Sequence, residues 1–443
     1  MNPFDGAHAD AADEHGRYSD SLEALAPGTL DTVPHDSFHV SKRLVRLGFG
    51  LMLAPLLVVV FTARLANPWV RWRPPEIVLP VPNAYDDYQR AAELAKDDFE
   101  SDGNPEKDAA VRRRVLARHT EALRTLRAGF AHPYVEPREE GIPKNAYHST
   151  GYRQLARLLS YEATEFAADG RYAAAIDSGL DAERFGFDIA RGTGILGRFV
   201  GEDTRRKGRA EKLVQPRIDH LTAAEARAAA ERLAALLAGE QDLAQTFADL
   251  RDIEPADIAA RCRDHGLLRQ FFVSMLDPPQ KLVLTACGPA PWMAEARRYM
   301  DAAAAWSRLP WHAAPPPRPR RFFGLWTARS VEQSRCKQAE ADARDGMFLS
   351  ALALQAWRAE HGRYPDSLDA LAPGILQAVP ADPFGSGELK YRREGEKYVL
   401  YSVGPDGRDD GGTAVQKVDD QGRTTHRIEP DSVGDIVWGI SEF

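Results

Sequence analysis

The chain has 443 residues, 28% of them charged, and a formal net charge of −8 at neutral pH. That length allows two or three domains with cores of ordinary size. The charge is lopsided, because residues 1–41 hold eight acidic side chains against the single Arg17 and leave the remainder near neutrality at −1. A nucleic-acid partner therefore finds no basic footprint, and Cys262, Cys287 and Cys336 are too few and too scattered for a disulfide framework or a cysteine zinc site.

Residues 1–43 read as an acidic tail with an internal echo. Glu14 to Phe38 matches Glu360 to Phe384 at 18 of 25 positions with a constant offset of 346. The N-terminal copy lacks both the helix before it and the strands after it, so it is expected to be dispensable and disordered. From Leu47 to Ala63 the chain carries no charge and is bracketed by Arg46 and Arg64. These 17 positions reach roughly 25 Å as a helix, and snorkelling arginines make up the rest of a ~30 Å hydrocarbon core, so residues 44–66 are expected to form a single transmembrane helix. Trp69 and Trp72 follow where an interfacial belt would lie. Residues 67–82 form a Pro-rich linker expected to stand off the membrane in extended form.

Ala, Leu, Glu and Arg dominate from residue 83 to 306, which reads as an all-α domain. Its clearest part is a helical hairpin, Tyr152 to Ala168 and Tyr172 to Ala190, turned at Asp169-Gly170 with Gly170 suited to a left-handed cap. Ala163, Gly170, Tyr172, Ala175 and Ala182 make it resemble one tetratricopeptide unit, although no stack of repeats accompanies it. Thr222-x-x-Glu225 is a capping box ahead of another helix. Gly192 to Gly201 lacks the Gly-Lys-Ser/Thr ending of a phosphate loop and reads as a loop or helix break. Asp86 and Asp87 read as a first-turn charge pair, and Cys262-x-Asp264-His265 as ordinary helix rather than a metal corner.

Residues 307–321 contain Pro315-Pro316-Pro317 and read as an extended linker. Beyond it, a helix from about Thr327 to His361 places Met347, Ala351, Leu354 and Trp357 on one stripe. Two paired strands are legible at Glu388 to Arg392 and Lys397 to Val403, the second with alternating faces. Residues Gly362-Arg363-Tyr364-Pro365, Pro380-x-Asp382-Pro383-Phe384-Gly385 and Tyr401-Ser402-Val403-Gly404-x-Asp406-Gly407 complete the region 322–443. This region resembles the globular head of the major pseudopilin of type II secretion systems. The resemblance implies a small α+β fold in which a stem helix packs on a short sheet. It departs from the family at the stem, which opens Phe322-Phe323-Gly324-Leu325-Trp326 and turns charged at once, so the anchor lies almost 300 residues upstream. Processing as a filament subunit is not expected. The order of parts is also similar to single-pass bacterial envelope proteins that join a helical domain to a pseudopilin-like end.

The acid-glycine loop after the last strand suits calcium, although Arg408 and Lys417 stand where an EF-hand would need oxygen ligands. The resemblance implies a different calcium set, with Asp406 first and Asp435 last. Val433 occupies the middle aspartate's place, and Asp409, Asp410 or Asp431 is the expected substitute. The expectation is thus a mainly α, single-pass inner-membrane protein, with its N-terminus cytoplasmic and its bulk periplasmic. It is expected to act as a structural, assembly or interaction component with protein partners. No catalytic constellation can be assembled from the sequence; the alternative is an envelope enzyme with its site between the helical domain and the head.

Overall fold

The computed structural model describes residues 76–96, 103–139, 142–143, 149–209, 217–264, 290–318, 325–418, 422 and 424–440. The acidic tail, its echo of the head motif and the expected span at 44–66 lie outside them. Among the described residues no helix is long and apolar enough to cross a membrane. The chain is mainly helical, with few strands.

Helix α1 (Ala84–Leu94) starts at Asn83, whose side-chain oxygen accepts from the Tyr85 amide, 3.2 Å, and the Val135 amide, 3.1 Å. One buried asparagine thus caps a helix and ties down the segment after α3. Helices α2 (Ala109–Arg118) and α3 (Thr120–Gly129) follow, α2 capped by Asp108. A two-residue ladder pairs β1 (Arg138–Glu139) with β2 (Ile142–Pro143). Next comes the expected hairpin, α4 (Ser149–Ala168) and α5 (Tyr172–Ala190), with Gly170 at φ +74°. Leu155 and Leu159 are buried in one core with Ala182, Phe185 and Ile189 of α5, whereas Ile176 and Leu180, also buried, belong to a second core. Helix α5 is buried on nearly all sides, Glu183 and Asp188 included.

The stretch from Gly192 differs from expectation. It breaks only at Gly192 and Thr193 and then forms α6 (Gly194–Arg209). Glycine is unfavourable in an isolated helix, but here it permits close approach. A Cβ on Gly186 of α5 would lie 2.6 Å from the Gly201 carbonyl oxygen of α6, so the two backbones cross in contact. The predicted capping box is present ahead of α7 (Ala223–Ala238): Thr222 Oγ1 accepts from the Glu225 amide, and the Glu225 carboxylate accepts from the Thr222 amide. Helices α8 (Leu243–Asp264) and α9 (Ala290–Ser307) then pack on each other through Phe247, Leu250, Tyr299 and Met300.

The stem, α10 (Leu325–His361), is 37 residues long. Its N-terminal part joins the α8–α9 cluster through Val331. Farther on, Met347, Ala351 and Leu354 sit in one continuous core with Ile176 and Leu180 of α5, Leu233 of α7 and the strands beyond. The apolar interior therefore runs from the helical body into the head without a break at residues 307–321. Trp311 closes that side: its ring packs edge-on against Phe384, and its Nε1–H donates to the Pro405 carbonyl.

Beyond the stem, β3 (Lys390–Glu394) and β4 (Lys397–Ser402) form a tight hairpin, and β7 (Ile436–Val437) pairs with the far end of β4. A separate two-residue ladder joins β5 (Lys417–Val418) to β6 (Thr424–Thr425). The Asp-Pro-Phe-Gly turn has a clear physical role. Buried Asp382 accepts from the Phe384 amide, Ser402 Oγ and the Val403 amide, 2.6 to 3.0 Å, and so locks the turn to the end of β4. Gly404, at φ +71°, lies so close to the Gly434 carbonyl that no side chain fits there.

Candidate functional site

A small crevice lies where α5 and α6 meet the stem α10. Phe187, Ile195, Phe199 and Ala341 give it apolar walls, and Arg198, Arg205, Glu202, Glu240 and Gln338 give it charge and polarity. Helix α6 supplies Arg198, Glu202 and Arg205 from successive turns of one face. Glu240 comes from the short connection after α7, and Gln338, Asp342 and Asp345 come from the stem.

Arg205 is almost wholly buried and holds the cluster together. Its Nε donates to Glu183 Oε2 at 2.7 Å, its Nη1 to Glu202 Oε2 at 3.0 Å, and its Nη2 to Asp345, while its plane covers the Phe187 ring at 3.8 Å. Burial pulls this guanidinium's pKa down, but Asp345, Glu202, Glu183 and Glu240 outweigh it and hold the pKa well above the arginine range. Arg198 spans the body and the stem. It donates to the Gln241 carbonyl (2.8 Å), Thr246 Oγ1 (3.1 Å), Glu240 Oε1 (3.1 Å) and Gln338 Oε1 (2.7 Å).

Five carboxylates face these two guanidiniums, and that excess has a consequence. Among the described residues, Glu240, Asp342 and Asp345 are the group that brings three candidate ligand oxygens within 4.8 Å of one another. Desolvation first, and then the charges of Glu240 and Asp345, push the Asp342 carboxyl up to about 8. Asp342 itself remains exposed, so water screens part of this crowding. Gln338 bridges the pair, its Nε2 donating to Glu240 at 3.1 Å and to Asp342 at 2.5 Å. Lys337 is engaged with Glu340 at 2.8 Å. Beside the crevice, the buried Cys336 thiol is pushed up to about 12, mainly by desolvation, and is no nucleophile at neutral pH.

Phe199, which lines the crevice, is 40% exposed, and Leu196, three residues before it on α6, is 53% exposed. They are large apolar side chains left in water beside the charged cluster.

The four aspartates expected from sequence lie at the other end of the head. Asp435 is buried and its carboxylate accepts from the Gly412 amide at 2.7 Å and the Asp410 amide at 3.3 Å; burial and the nearby Asp410 and Asp409 charges raise its pKa. Asp409 accepts from Tyr401 Oη at 2.8 Å and the Gly411 amide at 3.1 Å, which lowers its pKa. Asp406 Oδ1 accepts from the Arg408 amide at 3.2 Å, whereas Oδ2 is enclosed with no hydrogen-bond partner. Among the described residues these four aspartates do not bring three ligand oxygens within 4.8 Å of one another, so the expected cation set is not assembled at the loop.

Sequence reasoning missed the crevice because its members come from four segments, with Arg205 and Asp345 separated by 140 positions. A signal was nonetheless present. The apolar stripe of the stem extends back through Ala343 and Cys336 but includes Glu340 and Arg344, charged residues in buried positions. They pair at 3.0 Å. Comparison with protein-family models, with curated proteins and with solved structures finds no match for this chain.

Proposed function

We propose that the chain is a membrane-anchored component of the bacterial envelope that works through protein contacts, with an all-α body and a pseudopilin-like head exported on one anchor. The uncharged run from Leu47 to Ala63, followed by Trp69 and Trp72, supports the anchor. The motif at 362–407 supports the head and its location outside the inner membrane. One observation carries the reading as an interaction component rather than an enzyme. Both guanidiniums of the crevice between body and stem are tied up in ion pairs, while Phe199 in its wall and Leu196 nearby on the same helix remain exposed. The stem is also sheathed by α5 and α7, so it offers no bare helix for packing into a filament.

The test is a photo-reactive p-benzoylphenylalanine in place of Phe199 in cells. A single protein adduct of defined mass is expected, absent when the same group replaces the exposed Arg206. No adduct at 199 would refute the interaction reading. The displaced pKa of Asp342 next to Glu240 favours the second reading, an acid–base site in the crevice. In that case Asp342→Asn would abolish turnover and leave any Phe199 adduct unchanged.

A further inference from the structure

Residues 76–82 precede α1 as irregular chain, and three of their side chains are apolar and turned to solvent: Val78 is 90% exposed, Leu79 43% and Val81 97%. Adjacent large apolar residues at that exposure are uncommon on a protein that meets only water. Pro75, Pro80 and Pro82 flank them and lack an amide hydrogen, so the strip is a poor strand for extending a sheet of a second copy or of a partner. A surface that asks for no backbone hydrogen bonds suits it better.

In Pro-rich extended chain, side chains three apart share a face. Val78 and Val81 stand at that spacing and are the two most exposed of the three. In the sequence the same every-third pattern continues back through Pro75, Trp72 and Trp69, while Arg71, Arg73 and Glu76 all fall in the other two phases. The pattern therefore separates one apolar phase from charged ones, and its early members are tryptophans, the residue type enriched at lipid headgroups. Val78 lies only fifteen positions after Ala63, the end of the uncharged run.

We propose that Val78 and Val81 lie in the interfacial zone of the lipid bilayer, so that the linker runs along the membrane surface and holds the body against it. This replaces the expected stand-off linker with a strap. It rests on the membrane anchor proposed above. Its physical basis is the transfer of exposed apolar surface from water into the acyl boundary, with valines as shallow anchors beyond the tryptophans.

The test uses the full chain reconstituted in vesicles of phosphatidylethanolamine and phosphatidylglycerol, with p-benzoylphenylalanine in place of Val78, Val81 or, as control, Val433, which is 68% exposed on the head. After irradiation, phospholipid adducts are expected at 78 and 81 and not above background at 433. All these positions are exposed, so the replacements leave the core untouched. Alkaline extraction of the vesicles separates the two ideas. A chain that washes off refutes the anchor and the strap together. A chain that stays but gives no lipid adduct at 78 and 81, or gives a protein adduct there, overturns the strap alone.

Discussion

Gly201→Ala sets local preference against packing, with opposite signs. Helix propensity alone makes alanine about 1 kcal/mol better than glycine inside a helix. At the crossing of α5 and α6, a new Cβ on Gly201 meets the Gly186 carbonyl and lies 2.9 Å from Ala190 Cβ. Carbon atoms prefer roughly 3.5–4.0 Å, so the helices must separate by somewhat under an ångström. Overpacking of this kind costs about 1–3 kcal/mol, and the shift also loosens Arg205, which reaches from α6 to Glu183 and Asp345. The net expectation is a loss of about 1–2 kcal/mol after the propensity gain. Gly186→Ala should behave alike, since its Cβ would lie 2.6 Å from the Gly201 oxygen. Because both changes strain one crossing, the double variant should lose less than the sum. Urea unfolding of the full chain followed by circular dichroism reads the midpoint. A neutral or stabilised Gly201→Ala would refute a backbone-contact crossing.

Other expectations follow from the charged cluster and the head loop. Arg205→Leu leaves Glu183 and Asp345 buried without their cation and should cost about 3–5 kcal/mol; adding Asp345→Leu should recover part of it, read by the same unfolding assay. The Asp342 carboxyl is raised from 3.8 to about 8, so the folded form keeps a proton that the unfolded chain gives up. Its contribution is therefore full below about pH 4 and is lost as pH rises toward about 8. Asp342→Asn should flatten that part of the melting-temperature profile, and an unchanged slope would acquit this residue. If calcium binds the loop of Asp406, Asp409, Asp410 and Asp435, a hundredfold excess over its dissociation constant adds about 2.7 kcal/mol. Melting with calcium against chelator should show that gain in the full chain and not in Asp406→Ala plus Asp435→Ala; an equal shift in both excludes the site.

The elements legible in the sequence were those set by local rules. The period of Leu155, Leu159, Ile176 and Leu180 marks the α4–α5 hairpin, Thr222 and Glu225 mark the start of α7, and alternation from Tyr398 to Val403 marks β4. Helix α6 was hidden because glycine reads locally as a breaker, whereas Gly201 is used for contact with α5. The crevice was illegible for a different reason. Arg198 and Arg205 find Gln338 and Asp345 across 140 residues, and nothing local encodes that pairing. The head loop falls between these cases: the aspartates are plain in sequence, but only the fold distinguishes enclosed Asp435 from exposed Asp410.

The central claim is that one anchor near residues 44–66 carries everything after it out of the cytoplasm. Fusing alkaline phosphatase or green fluorescent protein after Phe443 of the full chain tests it most directly, since the phosphatase folds only after export and the fluorophore matures only before it. Active phosphatase with a dark fluorescent fusion is the expected result. A bright fluorescent fusion with inactive phosphatase would contradict the account.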